Sequence, residues 1–300
     1  LYRIQQSVAL IEKNRSLFEH LVDITQASYS SSQGDTRQQD IVRAQLEVSR
    51  IEDKLVLLRQ KQAQYRGQLS AWLATNEINH RVGFQFDTVE NKLPDISHQQ
   101  IKTANTQQME NINILSAIFA QHPALIAVDK KIKSTAVGIE LAQQKYQPEW
   151  GVTASYALRD SDPLGNDRAD LFSLGVVFEL PLFTANRQDQ EVIATISQTE
   201  AIKTDKQLLL REFYSSYVSN HGRLQQLLKR KTLFDEKLMP QFRQQAEITL
   251  NAYTHDSGDS SEVVRAKIDE LNAEIDYLAI NVEQQKTQLT INYLLMKAAL

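Results

Sequence analysis

The residues able to do chemistry in this chain are few and scattered. Its six histidines stand at 20, 80, 98, 122, 221 and 255, with no His-Glu-x-x-His motif and no paired metal spacing. There is no cysteine, which excludes thiol catalysis, disulfides and Cys-based metal sites. Three methionines, Met109, Met239 and Met296, form no cluster suited to a soft metal. No Gly-x-Gly-x-x-Gly, phosphate loop or Gly-x-Ser-x-Gly elbow occurs. Four aspartates lie between Asp160 and Asp170 with Pro163 and Gly165, but their spacing is not that of an EF-hand loop. These residues predict no catalytic site, no cofactor and no metal. The chain reads as a non-enzyme.

The elements that carry these residues are mostly helical. Glycine numbers 9 and proline 6 in 300 residues, whereas glutamine numbers 32. Few breakers and many long polar side chains favour long helices over folds made of short elements. Net charge is −4, with 33 basic against 37 acidic residues, so nothing points to nucleic acid as a partner. No apolar run is long enough for a transmembrane helix, a criterion to which β-barrel strands are invisible.

Helical periodicity covers Leu1 to about Ser28 through Ile4, Val8, Ile11, Phe18 and Val22. A second helix is expected from about Arg37 to Ala74. Its stripe, Ile41, Ala44, Val48, Ile51, Leu55, Leu58, Gln62, Tyr65, Leu69 and Trp72, alternates spacings of three and four. That is the 3.5-residue period of left-handed coiled-coil packing. Gln62, like Gln285 in the last helix, occupies a stripe position suited to setting register. Residues 76–121 read as loops and short elements. His122-Pro123 opens another helix, with proline in its first turn. Trp150 to Arg159 and Phe172 to Leu180 then alternate strictly. Trp150, Val152, Ala154, Tyr156 and Leu158 face one way in the first run, and Phe172, Leu174, Val176, Phe178 and Leu180 repeat the pattern in the second. Each run is about ten residues, the length of a tilted membrane strand, and the Asp-rich stretch between them reads as a hydrated hairpin loop. Trp150, Tyr156 and Phe172 suit an interfacial aromatic girdle. By pattern alone the strand pair fits either a membrane barrel or a soluble sheet. Helix resumes after Asn186, with a kink expected at Pro240, and a last helix carries Val264, Ile268, Leu271, Ile275, Leu278, Val282, Gln285 and Leu289.

Two polar breaks match each other. Tyr29, Gly34, Asp35, Val42, Arg43 and Ala44 pair with Tyr253, Gly258, Asp259, Val264, Arg265 and Ala266, and Asp40 pairs with Glu262. The first copy is two residues longer between its glycine and its valine. The repeat is therefore about 224 residues long, the Gly34–Gly258 separation. Its arithmetic leads us to expect roughly a hundred residues upstream, two strands among them. The breaks serve equally as plain helix-hairpin loops and as exposed binding tips, and Asp40 and Glu262 suit the positive end of a helix dipole.

Several motifs, in order, carry a likeness. They are His122-Pro123-Ala124-Leu125, Gly138-Ile139-Glu140-Leu141-Ala142, Tyr146-Gln147-Pro148-Glu149-Trp150-Gly151, Leu180-Pro181-Leu182-Phe183 with Asn186-Arg187, and the two Tyr-turn-acid breaks followed by Val-Arg-Ala. Over essentially its whole length the chain resembles the TolC-like outer-membrane efflux proteins. The resemblance implies a mainly α fold of very long antiparallel helical hairpins, packed as an α-barrel, with a two-strand β-hairpin contributing to a membrane β-barrel. It implies a homotrimer in the outer membrane of a Gram-negative bacterium, largely periplasmic and in contact with outer-membrane lipid. Its partners would be a periplasmic adaptor and, indirectly, an inner-membrane pump. The chain would then divide into 1–75, the end of a first repeat; 76–121, an equatorial linker; and 122–300, a second repeat with its strand hairpin at 150–182 and a helical hairpin at 185–298. Tyr29, Gly34, Asp35, Asp40, Tyr253, Gly258, Asp259 and Val263 would form adaptor-binding tips. Glu262 and Arg265 would line the aperture. The chain departs from the family pattern at Ser32 and Asp256, where the family often has glycine, and at Arg265, where it has a second acid. The rival reading is a soluble coiled-coil scaffold without a membrane barrel.

Overall fold

The computed structural model describes residues 1–30, 37–73, 93, 96, 112–161, 163–255 and 260–297. Its helices are α1 (Tyr2–Ser30), α2 (Gln38–Leu73), α3 (Ile112–Phe119), α4 (Pro123–Gln144), α5 (Gln188–Leu233), α6 (Met239–Thr254) and α7 (Ser260–Leu294). Its strands are β1 (Glu149–Ala157) and β2 (Leu171–Glu179). The chain divides into two compact units, Leu1–Gln100 with Tyr217–Tyr293, and Ile101–Ser216 with Leu294–Leu300.

The first unit is a helical coil in which α1, α2, α6 and α7 meet. Ile11 and Phe18 of α1, Ile51 and Leu55 of α2 and Leu271 of α7 form one buried cluster. Leu21, Ala44, Val263 and Val264 form another, flanked by Leu250 and Tyr253 of α6. Each of the larger side chains contributes about 1.5–3 kcal/mol by leaving water. The α2 stripe faces inward as its spacing predicts from Ala44 to Gln62, but Tyr65 is exposed. The buried stripe of α1 is Ile4, Ser7, Ile11, Phe18, Leu21 and Thr25. Two of its members are polar, and the expected Val8 and Val22 are half-buried flankers. Thr25 is satisfied locally, its Oγ1 donating to the Leu21 carbonyl at 2.7 Å, and this permits a hydroxyl in a packed seam.

Helix α7 packs on two seams. Beside the predicted stripe runs a strict heptad of buried residues, Ala266, Ala273, Ile280 and Thr287. Ala273 and Ile280 cluster with Phe234 and Met239. Phe234 opens a π-helical turn, Phe234–Leu238, just before Pro240. Proline removes a backbone donor and crowds the preceding turn, and the widened turn absorbs this, with the Met239 N–H bonding back to the Phe234 carbonyl. Gln62 Nε2 donates to Gln5 Oε1 at 3.1 Å, linking α2 to α1 at the expected stripe position. Gln285 Oε1 accepts the Ile96 N–H at 3.2 Å.

In the second unit α4 and α5 lie antiparallel. Lys145 pairs with Glu191, Lys206 with Asp129 at 2.6 Å, and a Cβ on Gly138 would meet Thr195 Cγ2 at 3.4 Å. His122 caps α4: its Nδ1 accepts the Ala124 N–H at 3.2 Å, with Pro123 in the first turn. Its ring is buried edge-on against Phe213, centroids 4.8 Å apart.

Candidate functional site

The two strands pair antiparallel over nine residues, from Glu149↔Glu179 to Ala157↔Leu171. The register sets Trp150 opposite Phe178, Val152 opposite Val176, Ala154 opposite Leu174 and Tyr156 opposite Phe172. One face is therefore apolar throughout, as the alternation predicts. It is also bare: the seven larger side chains of these pairs are each 56–73% exposed. A continuous uncovered apolar strip marks an interaction surface. Aromatic pairs stand at both ends, and the Trp150 and Phe178 rings lie 5.4 Å apart.

The opposite face is small and polar. Ser155 and Ser173 hydroxyls meet at 2.7 Å. Thr153 Oγ1 donates to the Gly175 carbonyl at 3.4 Å, and a Cβ on Gly175 would come within 2.9 Å of that hydroxyl. Nine residues span about 30 Å along a strand; at a tilt of about 40° they cover roughly 23 Å of thickness, close to the apolar band of a membrane barrel.

The loop beyond the strands ties its aspartates inward. Asp170 accepts the Tyr156 hydroxyl and, at 3.1 Å, the Arg159 N–H. Both bonds favour the ionised form and hold the Asp170 carboxyl below its ordinary range. Ser161 donates its N–H to Asp160 at 2.9 Å and its hydroxyl to Asp167 at 3.2 Å. Gly165 takes φ +85°, the left-handed turn position glycine fills without strain. Among the described residues no three His, Cys, Asp or Glu side chains are grouped to hold a metal.

In the other unit, the tip glycines and their acids, Gly34, Asp35, Gly258 and Asp259, lie outside the described residues, as do Ser32 and Asp256. Tyr29 is exposed and Tyr253 is half-buried against the Leu21–Ala44–Val263–Val264 cluster. Asp40 is only 6% exposed. It is the third residue of α2, and its Oδ2 accepts the Arg37 N–H at 3.0 Å, one half of a capping box. Val263 is fully buried: its side chain fills the helical seam and offers nothing to a partner. Glu262 and Arg265 are both exposed. A groove of about 350 Å³ runs between α2 and α7, with Arg43, Arg50 and Arg265 on its rim. The matched breaks are thus equivalent at Ala44/Ala266, both buried, and at Arg43/Arg265, both exposed. They differ at Val42, exposed, against Val264, buried.

No family model matches the chain, and no curated protein matches it by sequence. Solved structures do. VceC, an outer membrane protein of Vibrio cholerae, superposes with a TM-score of 0.74 at 14% identity, covering 99% of this chain and 67% of VceC. The outer-membrane channel OprN gives 0.76 at 12% identity, covering 99% and 63%. The Campylobacter jejuni outer membrane channel CmeC gives 0.74 at 11% identity, covering 98% and 59%. The fold is that of the outer-membrane channels. The chain spans about two thirds or less of each of these proteins. Among the described residues no helix is long and apolar enough to cross a membrane.

Proposed function

We propose that the chain belongs to a passive outer-membrane exit duct of a tripartite efflux or secretion system. The observation that carries this reading is the apolar face of β1 and β2, complete from one aromatic pair to the other and covered by nothing among the described residues. A soluble scaffold would expose that face to water at a heavy cost in apolar hydration. A barrel in lipid covers it and pairs its edges with other strands, since open sheet edges are not tolerated in hydrocarbon. The small polar face, Ser155, Ser173, Thr153 and Gly175, then suits a water-filled lumen.

The likeness to channel proteins supports a homotrimer whose helical tips dock a periplasmic adaptor, with transport energy supplied by an inner-membrane pump. Of the proposed tip residues Tyr29 presents an exposed side chain for such contacts, and the proposed aperture residues Glu262 and Arg265 are both exposed. Asp40 and Val263 support the tips from within. Glu262 and Arg265 put opposite charges one helical turn apart beside the proposed aperture, in place of a purely acidic ring. In this reading the duct acts by shape and polarity.

The test is the mass of the protein extracted in detergent from fractionated membranes of a Gram-negative host. A trimer confined to the outer membrane is the expected result. A monomer or dimer in the soluble fraction overturns the reading and leaves a coiled-coil scaffold.

A further inference from the structure

We propose that Phe183, with Leu182 beside it, is a lipid-contacting depth anchor. It would sit at the headgroup–acyl boundary of the bilayer, at the end of the strand pair nearer the helices. The proposal rests on the membrane reading of β1 and β2 given above.

Phe183 is the one non-glycine residue with positive φ among the described residues. It sits in the left-handed region at φ 62°, ψ 56°, where a bulky side chain is disfavoured. Its ring is 94% exposed, and Leu182 is 70% exposed. The surrounding backbone turns tightly. The Leu182 N–H bonds to the Leu180 carbonyl at 2.9 Å, closing a three-residue turn about Pro181. Phe183 follows, and then a 3₁₀ turn at Thr184–Asn186 leads into α5. Glycine would make the left-handed step at no steric cost, so the turn itself does not account for a phenyl ring. Local strain and an uncovered aromatic side chain occur together at one residue, and strain of this kind persists where a site has use for it.

The position indicates what covers the ring. Phe183 lies five residues beyond Phe178, whose pairing with Trp150 ends the bare apolar face. Past Glu179, Leu180 and Leu182 carry exposed apolar side chains from the strand end to Phe183. Polar chemistry resumes at the next residue: Thr184, Asn186 and Arg187, then the Tyr146–Asp189 hydrogen bond at 2.5 Å and the Lys145–Glu191 pair. An aromatic ring between an apolar strip and a charged border has the amphipathic setting of a membrane-interface residue. Once in lipid, the ring would fix how deep the strand pair sits.

The absence of cysteine makes a single-label experiment clean. Phe183→Cys, Leu174→Cys and the loop variant Asn166→Cys would each carry a nitroxide in the full chain reconstituted into phosphatidylcholine–phosphatidylglycerol vesicles. Collision with oxygen is compared with collision with a water-soluble nickel chelate. The expected result is an oxygen-dominated label at 174, a nickel-dominated one at 166, and an oxygen-favoured label at 183 about 12 Å shallower than at 174, half the apolar band. Nickel access at 183 equal to that at 166 overturns the anchor. So does an immobilised label shielded from both reagents, which would mean that another protein surface covers the ring. A label at 174 in water would refute the membrane reading as well, so the two failures are distinguishable. Should the cysteine variant fail to assemble, Phe183→Trp in a background of Trp72→Phe and Trp150→Phe gives a second measurement. Strong quenching by shallow-brominated lipid supports the anchor, and its absence refutes it.

Discussion

Replacing Leu174 by lysine gives the sharpest test of the strand face, because the register predicts its cost by depth. Leu174 pairs with Ala154, one step from Thr153↔Gly175 at the middle of the nine pairs. A lysine on a lipid-facing side chain costs about 2–4 kcal/mol at the bilayer midplane and about 0–1 near the interfaces. Leu174→Lys should therefore shift the folding equilibrium roughly 30- to 700-fold toward the unfolded form. Ser173 is the next residue, on the other face, and its hydroxyl meets Ser155 at 2.7 Å. Ser173→Lys there loses one neutral hydrogen bond, worth about 1 kcal/mol, and its ammonium stays in water. Phe172→Lys, at the end of the pairing, returns to the apolar face but near the boundary, and its charge should cost less than at 174. The assay is urea unfolding of the protein folded into lipid vesicles, comparing the three variants with the parent chain. Equal destabilisation at 173 and 174, or no gradient from 174 to 172, would refute the assignment of this face to lipid.

Four further outcomes follow from the packing. Phe18→Ala should cost about 3–5 kcal/mol, because Phe18 is 1% exposed at the junction of α1, α2 and α7; chemical denaturation followed by helical circular dichroism reads it. Asp40→Ala should cost about 0.5–2 kcal/mol through loss of its N-terminal bond, whereas Glu262→Ala, exposed at the matching position, should fall within about 0.5 kcal/mol of the parent in the same assay. The hydrogen bond to Asp189 raises the Tyr146 hydroxyl above its ordinary pKa; its contribution is complete below about pH 10 and is lost as pH rises through the raised value, so Tyr146→Phe should lower stability at neutral pH, converge with the parent at alkaline pH and so flatten the alkaline limb of a stability–pH profile. Gly175→Ala should be destabilising and be rescued by Thr153→Ala in a double-mutant cycle, because the added Cβ meets the Thr153 hydroxyl at 2.9 Å.

The strand pair was legible because its period is two and both runs carry large apolar side chains at every second residue. The structure keeps those partners on one face and ends each strand one or two residues before the expected limit. The α2 stripe was legible because its large apolar residues recur at alternating spacings of three and four. The α1 seam was only half legible: Ser7 and Thr25 are core positions, and a hydroxyl bonded to the preceding turn is compatible with burial but carries no hydrophobic signal. The second seam of α7 was missed because Ala266, Ala273 and Thr287 are too small or too polar to stand out, although their seven-residue spacing with Ile280 was there to find. Pro240 announced an irregular helix but could not tell a kink from the π-helical turn that precedes it. Phe183 gave no sign at all, since a left-handed backbone at a phenylalanine is set by the turns around it and not by its own preference.

That second seam bears on the repeat. Two breaks alike in sequence lead one to expect two hairpins alike in environment. Instead Val264 is buried where its counterpart Val42 is exposed, and Asp40 is buried where Glu262 is exposed. The cause is that α7 has neighbours on both sides, α1 and α2 through Leu271 and Val264, and the π-helical turn with α6 through Ala273 and Ile280. Among the described residues no comparable second stripe of α2 is buried: Val42, Leu46, Val56 and Leu57 stay exposed. Duplicated segments therefore sit in unequal positions, and the inequality falls on the acids proposed for the tips. Asp40 is committed to closing the first turn of α2, whereas Glu262 keeps its carboxylate in solvent beside Arg265. The second break thus presents an exposed acid and an exposed base, Glu262 and Arg265, where the first presents the base Arg43 beside a buried acid.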